Sequence, residues 1–142
     1  MIRLAPFRVE HWRRIKLQPE QENMLGFLSD YEVQQLETTD AFTAFAEDRI
    51  IAIAGVVPLS PRRGHAWALM SSEAGRHMLP ITRAINRFWN INYDYHRVEM
   101  AVKCSFEEGH RWARILGFEL EAPLMKRYDP QGEDYSLYAR IF

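Results

Sequence analysis

The sequence holds 142 residues, 47% hydrophobic and 26% charged, which suits one globular domain over residues 1–142 and excludes a disordered chain. Eighteen Lys and Arg against nineteen Asp and Glu leave a net charge of -1, so no global field favours nucleic acid or an anionic membrane. A single cysteine, Cys104, excludes an intrachain disulfide and any multi-cysteine metal site. With no apolar run near the roughly 20 residues of a membrane span and no leader-like N-terminus, the expectation is a soluble cytoplasmic protein.

Ile2 to Val9 alternates and reads as a strand, with Pro6 implying an edge or a bulge. Glu10–Leu17 and Glu20–Leu28 read as short helices, the second with Met24, Leu25 and Leu28 on one face. Ser29–Thr39 is a further helical candidate through Tyr31, Val33 and Leu36. Ala41–Glu47 and Ile50–Leu59 then form a hairpin about Asp48-Arg49. Gly55 inside its second arm implies a bulge or a close backbone approach. Pro58–Gly64 is a turn with an exposed basic pair, and His65–Met70 is a third antiparallel strand.

Ser71-Ser72-Glu73 is a helix start, its hydroxyls and acid suited to free backbone N–H groups and the positive end of the dipole. Pro80 fits only the first turn of a helix, which places the main helix at Leu79–Ile91 with Ile81, Ile85, Phe88 and Trp89 inward. Arg97–Cys104 is a strand with Val98, Met100, Val102 and Cys104 on one face and Glu99 on the other. On that strand Cys104 reads as a small buried hydrophobe. Phe106–Leu116 is a helix ended by Gly117 in a left-handed C-cap. Phe118–Leu124 and Tyr135–Ile141 are the closing strands, joined by the turn Asp129-Pro130-Gln131-Gly132. A meander followed by a helical crossover implies one parallel pair in a mixed sheet.

This order of elements resembles the GNAT family of N-acetyltransferases. The segments that carry the resemblance are Arg97–Glu119, ending in Leu116-Gly117-Phe118, and Trp67–Phe88, where the family has its acetyl-CoA loop and following helix. The resemblance implies an α/β (α+β) GNAT fold, a mixed sheet of six to seven strands with about four helices. It also implies acetyl-CoA as acyl donor and an amine acceptor. Trp67–Glu73, Arg114–Phe118 and Gly132–Arg140 are also similar to motifs of small acetyltransferase-like proteins of phages and prophages. The small internal virion protein of T7-like phages is similar in layout. That narrower likeness implies a phage-encoded protein in the host cytoplasm or the virion, with other phage or host proteins as partners.

Acetyl transfer makes three demands. The donor's pyrophosphate needs free N–H groups and positive charge at a helix start. By the family's register, Ser72, Gly75, Arg76 and His77 take that place, although only Gly75 matches the family signature. The thioester carbonyl needs a hydrogen-bond donor, expected as a backbone N–H about Met70 and Met100. The amine must lose a proton, for which Glu99 is the candidate base, while Ser105 is a candidate beside the donor arm or simply a helix N-cap. The Tyr by which many members protonate the leaving thiolate is replaced by Ala113. Glu73, Tyr128, Tyr135 and Tyr138 are further candidates. The five histidines show no metal spacing. An acyltransferase and a catalytically degenerate structural or assembly protein of a phage virion both fit these residues.

Overall fold

A computed structural model describes residues 2–91 and 94–142. Along the chain it contains β1 (Arg3–Pro6), α1 (Val9–Arg14), a 3-10 helix (Pro19–Gly26), α2 (Asp30–Leu36), β2 (Asp40–Ala46), β3 (Arg49–Ser60) and β4 (Arg63–Met70). A second 3-10 helix (Ala74–His77) follows, then α3 (Met78–Ile91), β5 (Arg97–Lys103), α4 (Glu107–Ile115), β6 (Glu119–Met125) and β7 (Tyr135–Ile141). The seven strands are ordered β1-β2-β3-β4-β5-β7-β6. All recorded pairings are antiparallel except β4 with β5, which is parallel as the crossover requires. None of the described helices is long and apolar enough to cross a membrane.

The chain divides into two compact units, Met1–Val57 with Trp67–Ile91 and Pro58–Ala66 with Asn92–Phe142. In the first, β1 is an outer strand and carries Pro6 at its end, where a missing N–H costs little. Phe7, Trp12, Ile15, Val33, Leu36, Phe45, Ile50, Ile53 and Leu69 form its core. Each such side chain, when fully buried, contributes about 1.5–3 kcal/mol. Gly55 lies against Asp40 and Ala41 of β2, where a Cβ would come within 2.7 Å of the Asp40 carbonyl, so the expected close approach is present. The bulge of this pair lies instead at Ala44/Phe45. α2 is set by a reciprocal cap, in which Ser29 Oγ accepts the Glu32 N–H and Glu32 Oε1 accepts the Ser29 N–H.

Several boundaries differ from expectation. The segment expected as a helix from Glu20 is 3-10, and α1 stops at Arg14 because Ile15 turns extended. Positive φ at Glu47 moves the first hairpin turn one residue earlier. The second turn shrinks to Pro61-Arg62, with φ +66° at Arg62, since β3 runs to Ser60 and β4 begins at Arg63. Arg63 is thereby a strand residue and not part of a loose basic turn.

In the second unit, β5, β7 and β6 form an antiparallel set, to which the first residues of β4 add a parallel pairing. α4 ends as expected, with Gly117 at φ +87°. Phe118 N–H returns to the Ala113 carbonyl at 3.0 Å, and Arg140 Nη1 of β7 donates to the Leu116 carbonyl at 2.9 Å. The outer strand β6 carries two irregularities, Pro123 and exposed Glu119 and Glu121, features that discourage pairing with another edge.

Candidate functional site

The turn after β4 folds on its own polar groups. Ser71 Oγ accepts the Glu73 N–H at 3.2 Å, and the Ala74 N–H reaches the Ser71 carbonyl at 3.1 Å. The 3-10 helix Ala74–His77 follows and leads straight into α3, with Pro80 in the first turn, where it displaces no intrahelical bond. Ser72, Gly75 and Arg76 are exposed and His77 is half-buried. The four sequence candidates therefore share one short turn at the start of a 14-residue helix.

Gly75 answers no demand of the chain itself. Its φ is not positive, and a Cβ built on it meets nothing within 4 Å. The backbone there is open to an approaching group, a property a phosphate cradle requires. Glu73, which would oppose an anion, is held by Arg49, whose Nε reaches its two carboxylate oxygens at 2.9 and 3.0 Å. That hydrogen bond keeps the Glu73 carboxyl below its ordinary range.

Behind this turn lies the edge of β4. Ser71 donates its N–H to the Ile51 carbonyl of β3 at 3.0 Å, so strand alternation turns the polar groups of Ala68 and Met70 to the other edge. Met70 N–H, a position expected to serve the thioester carbonyl, donates to Gln21 Oε1 at 2.7 Å. Gln21 Nε2 in turn donates to the Ala68 carbonyl at 2.9 Å. Sequence reasoning gave Gln21 no role, because a residue 49 positions from its partner leaves no local signal.

In the second unit Glu99 is neither a solvated strand residue nor a free carboxylate. It is 7% exposed. Arg63 Nε and Nη2 reach it at 2.6 and 3.1 Å, and Arg97 Nε at 2.8 Å. Arg97 also grips Glu121 at 2.6 and 3.0 Å. The register explains the cluster, since Arg63 lies opposite Arg97 and His65 opposite Glu99 on the parallel pair. The Arg63 hydrogen bonds, opposed by burial and helped by Arg97, hold the Glu99 carboxyl at about 2. Neighbouring His65 is pushed down by burial, against the pull of Glu99.

Ser105 is exposed in the turn between β5 and α4, one residue before the N-cap position, which Phe106 occupies without a side-chain bond. The N-cap reading of Ser105 is thus corrected. Cys104 is likewise exposed, because β5 ends at Lys103. Ala113 is fully buried, so its helix position faces core. Tyr135 donates to Asp129 at 3.0 Å, and burial followed by that bond raises its phenol. Tyr138, 1% exposed, lies 2.7 Å from His110 Nδ1, while His110 Nε2 faces the Lys103 and Cys104 carbonyls at 3.1 Å each. Two carbonyl acceptors put the imidazole proton on Nε2, so Tyr138 is the donor to Nδ1. Among the described residues no three His, Cys, Asp or Glu side chains gather as a metal site.

No family model and no curated protein matches the sequence. Solved structures do match. The acetyltransferase of the GNAT family from Streptococcus pneumoniae aligns over 100% of both chains with a TM-score of 0.72 at 12% identity. The N-acetyltransferase from Staphylococcus aureus Mu50 aligns over 99% of this chain and 97% of its own, with a TM-score of 0.77 at 10% identity. Ard1 from Thermoplasma volcanium aligns over the same shares with a TM-score of 0.78 at 12% identity. The fold of this chain is therefore the mixed α/β GNAT fold over its whole length.

Proposed function

We propose that the chain is a GNAT-type N-acyltransferase that moves an acetyl group from acetyl-CoA to an amine. The observation that carries this reading is the open turn Ser72–His77, where Gly75 leaves its backbone uncovered at the start of α3. Ser72 would give a hydroxyl, Gly75 its bare backbone, and Arg76 and His77 positive charge to the pyrophosphate. Arg49 neutralises Glu73 and keeps the turn hospitable to an anion. Acetyl-CoA, when bound, supplies a thioester whose acyl carbon an amine can attack.

Glu99 does not suit the role of base. A carboxylate held at about 2 has little appetite for a proton at neutral pH. Its place in this reading is to fix Arg63 and Arg97, and the amine gives its proton to water. Ser105, exposed after β5, is assigned a hydrogen bond to the donor arm. A phage or prophage origin, a place in the host cytoplasm or virion, and other phage or host protein partners belong to the same reading and rest on the sequence motifs.

One observation favours the alternative of a catalytically degenerate structural or assembly protein of a virion. Ala113, where many family members have their acid, is sealed in the core. A single experiment separates the two. Acetyl-CoA at 100 times its dissociation constant should stabilise the folded chain by about 2.7 kcal/mol. Gly75→Glu should abolish that shift while leaving the ligand-free melting temperature unchanged, because its side chain enters open space. No shift at millimolar acetyl-CoA refutes the enzyme reading and favours the alternative.

A further inference from the structure

β4 pairs with β5 only from Arg63 to His65, and at Ala68 and Met70 its side away from β3 is closed by the chain's own residues. Gln21 offers its amide N–H to the Ala68 carbonyl and its amide oxygen to the Met70 N–H. Gln18 N–H adds a bond to the Met70 carbonyl at 3.0 Å, and Leu17 bridges Ser71. One carboxamide thus takes an acceptor and a donor two residues apart on a strand, the pair that the N–H and C=O of a single residue of a parallel strand would take. Gln21 is buried, yet it stands on the 3-10 helix Pro19–Gly26. A 3-10 helix has poorer hydrogen-bond geometry than an α-helix, and eight residues of it is a long run. Its neighbours Glu20, Glu22 and Asn23 are exposed, and only Met24 and Leu25 of the segment join the core cluster. The clamp is therefore mounted on a weakly held segment.

We propose that Gln21 is a removable clamp, which covers the β4 edge in the ligand-free chain and is displaced when an extended, amide-bearing acyl donor pairs with that edge. The inference rests on the acyl-donor reading and adds its gate. A ligand that takes over must bring a carbonyl to Met70 N–H and an N–H to the Ala68 carbonyl, so amide-free anions that fit the turn at Gly75 alone leave the clamp in place. Displacement costs the clamp's two hydrogen bonds, and this cost lowers the affinity of the wild-type chain.

The test uses free CoA as probe, with Gln21→Ala and Gln21→Met. The Met side chain keeps most of the volume and loses both bonds, which guards against a folding defect in the Ala variant. Binding is measured by calorimetry and the Met70 amide by hydrogen exchange. Both variants should bind CoA roughly tenfold more tightly than wild type. Their Met70 amide should exchange faster without ligand and regain protection with CoA. Equal or weaker binding in the variants, with wild type still binding, would make Gln21 a structural support and overturn the clamp while leaving the donor reading intact. Absence of CoA binding in all three proteins would overturn the donor reading and the clamp with it.

Discussion

Glu99→Gln isolates the charge of the Arg63–Glu99–Arg97 cluster while keeping its shape. In the folded chain the Glu99 carboxyl sits at about 2 against an ordinary 4.5. At about 1.4 kcal/mol per unit, that gap is worth about 3 kcal/mol unscreened. The Arg63 side chain is 46% exposed, so solvent reduces the figure to about 1–2 kcal/mol. Arg97 loses less than Arg63, because Glu121 still holds it. At pH 7 the variant should melt about 3–8 °C lower. The folded pKa lies below the unfolded one, so the stabilisation is complete above about 4.5 and disappears as pH falls toward 2. Urea unfolding of both proteins from pH 7 down to pH 2 should therefore show two curves that converge. Equal stability at pH 7, or a gap that persists to pH 2, would refute the assignment. In an acetyl-transfer assay the variant should lose no more than its stability explains. A hundredfold fall in kcat with an acid limb near neutrality would restore Glu99 as a base.

Tyr138→Phe removes the hydroxyl that donates to His110 Nδ1 and should cost about 1–2 kcal/mol, read as a lower urea midpoint with an unchanged slope. Gly117→Ala forces a Cβ onto a φ of +87° and should cost about 1–2 kcal/mol by the same assay, although the space beside Arg140 would admit the methyl. His11 is 6% exposed; its Nδ1 accepts the Arg8 N–H and lies 2.8 Å from the Thr43 hydroxyl. Burial lowers its pKa, so its contribution to stability is present above the ordinary 6.5 and is lost as pH falls through the lower folded value. NMR titration should show a midpoint below the ordinary 6.5, with the neutral ring protonated on Nε2.

The regular elements were legible wherever a local pattern was the cause. The 78–91 helix was placed within one residue by Pro80 and the spacing of Ile81, Ile85 and Trp89. β7 and the left-handed Gly117 were read without error for the same reason. α2 lies inside the expected Ser29–Thr39 segment, and the reciprocal cap Ser29-x-x-Glu32 that starts it is a local signal that the apolar spacing alone did not use. Glu99 was misjudged because alternation tells which face a side chain takes and not what waits there. Its partner Arg63 is 36 positions away and was read as part of a loose turn. Cys104 is at the surface because β5 stops one residue early, and the N-cap falls to Phe106 and not to Ser105. The β4 edge was illegible in principle, since a carboxamide standing in for a strand has no periodicity.

The motif residues divide by what explains them. Leu116-Gly117-Phe118 and Tyr138-Ala139-Arg140 are separate in sequence, yet Arg140 caps the Leu116 carbonyl and Tyr138 anchors His110 on the same helix. Their pairing follows from the need to end α4 against β7, whatever the protein does. Packing thus accounts for the residues that most resemble a family, and they carry little information about chemistry. Gly75 is the converse case. It needs no left-handed backbone and relieves no clash, and its neighbours Ser72 and Arg76 are exposed. A glycine that the fold does not require, in a turn where a helix begins and a nearby acid is neutralised, is the residue whose explanation lies outside the chain. The functional reading therefore hangs on Gly75 and on the clamped edge of β4 behind it.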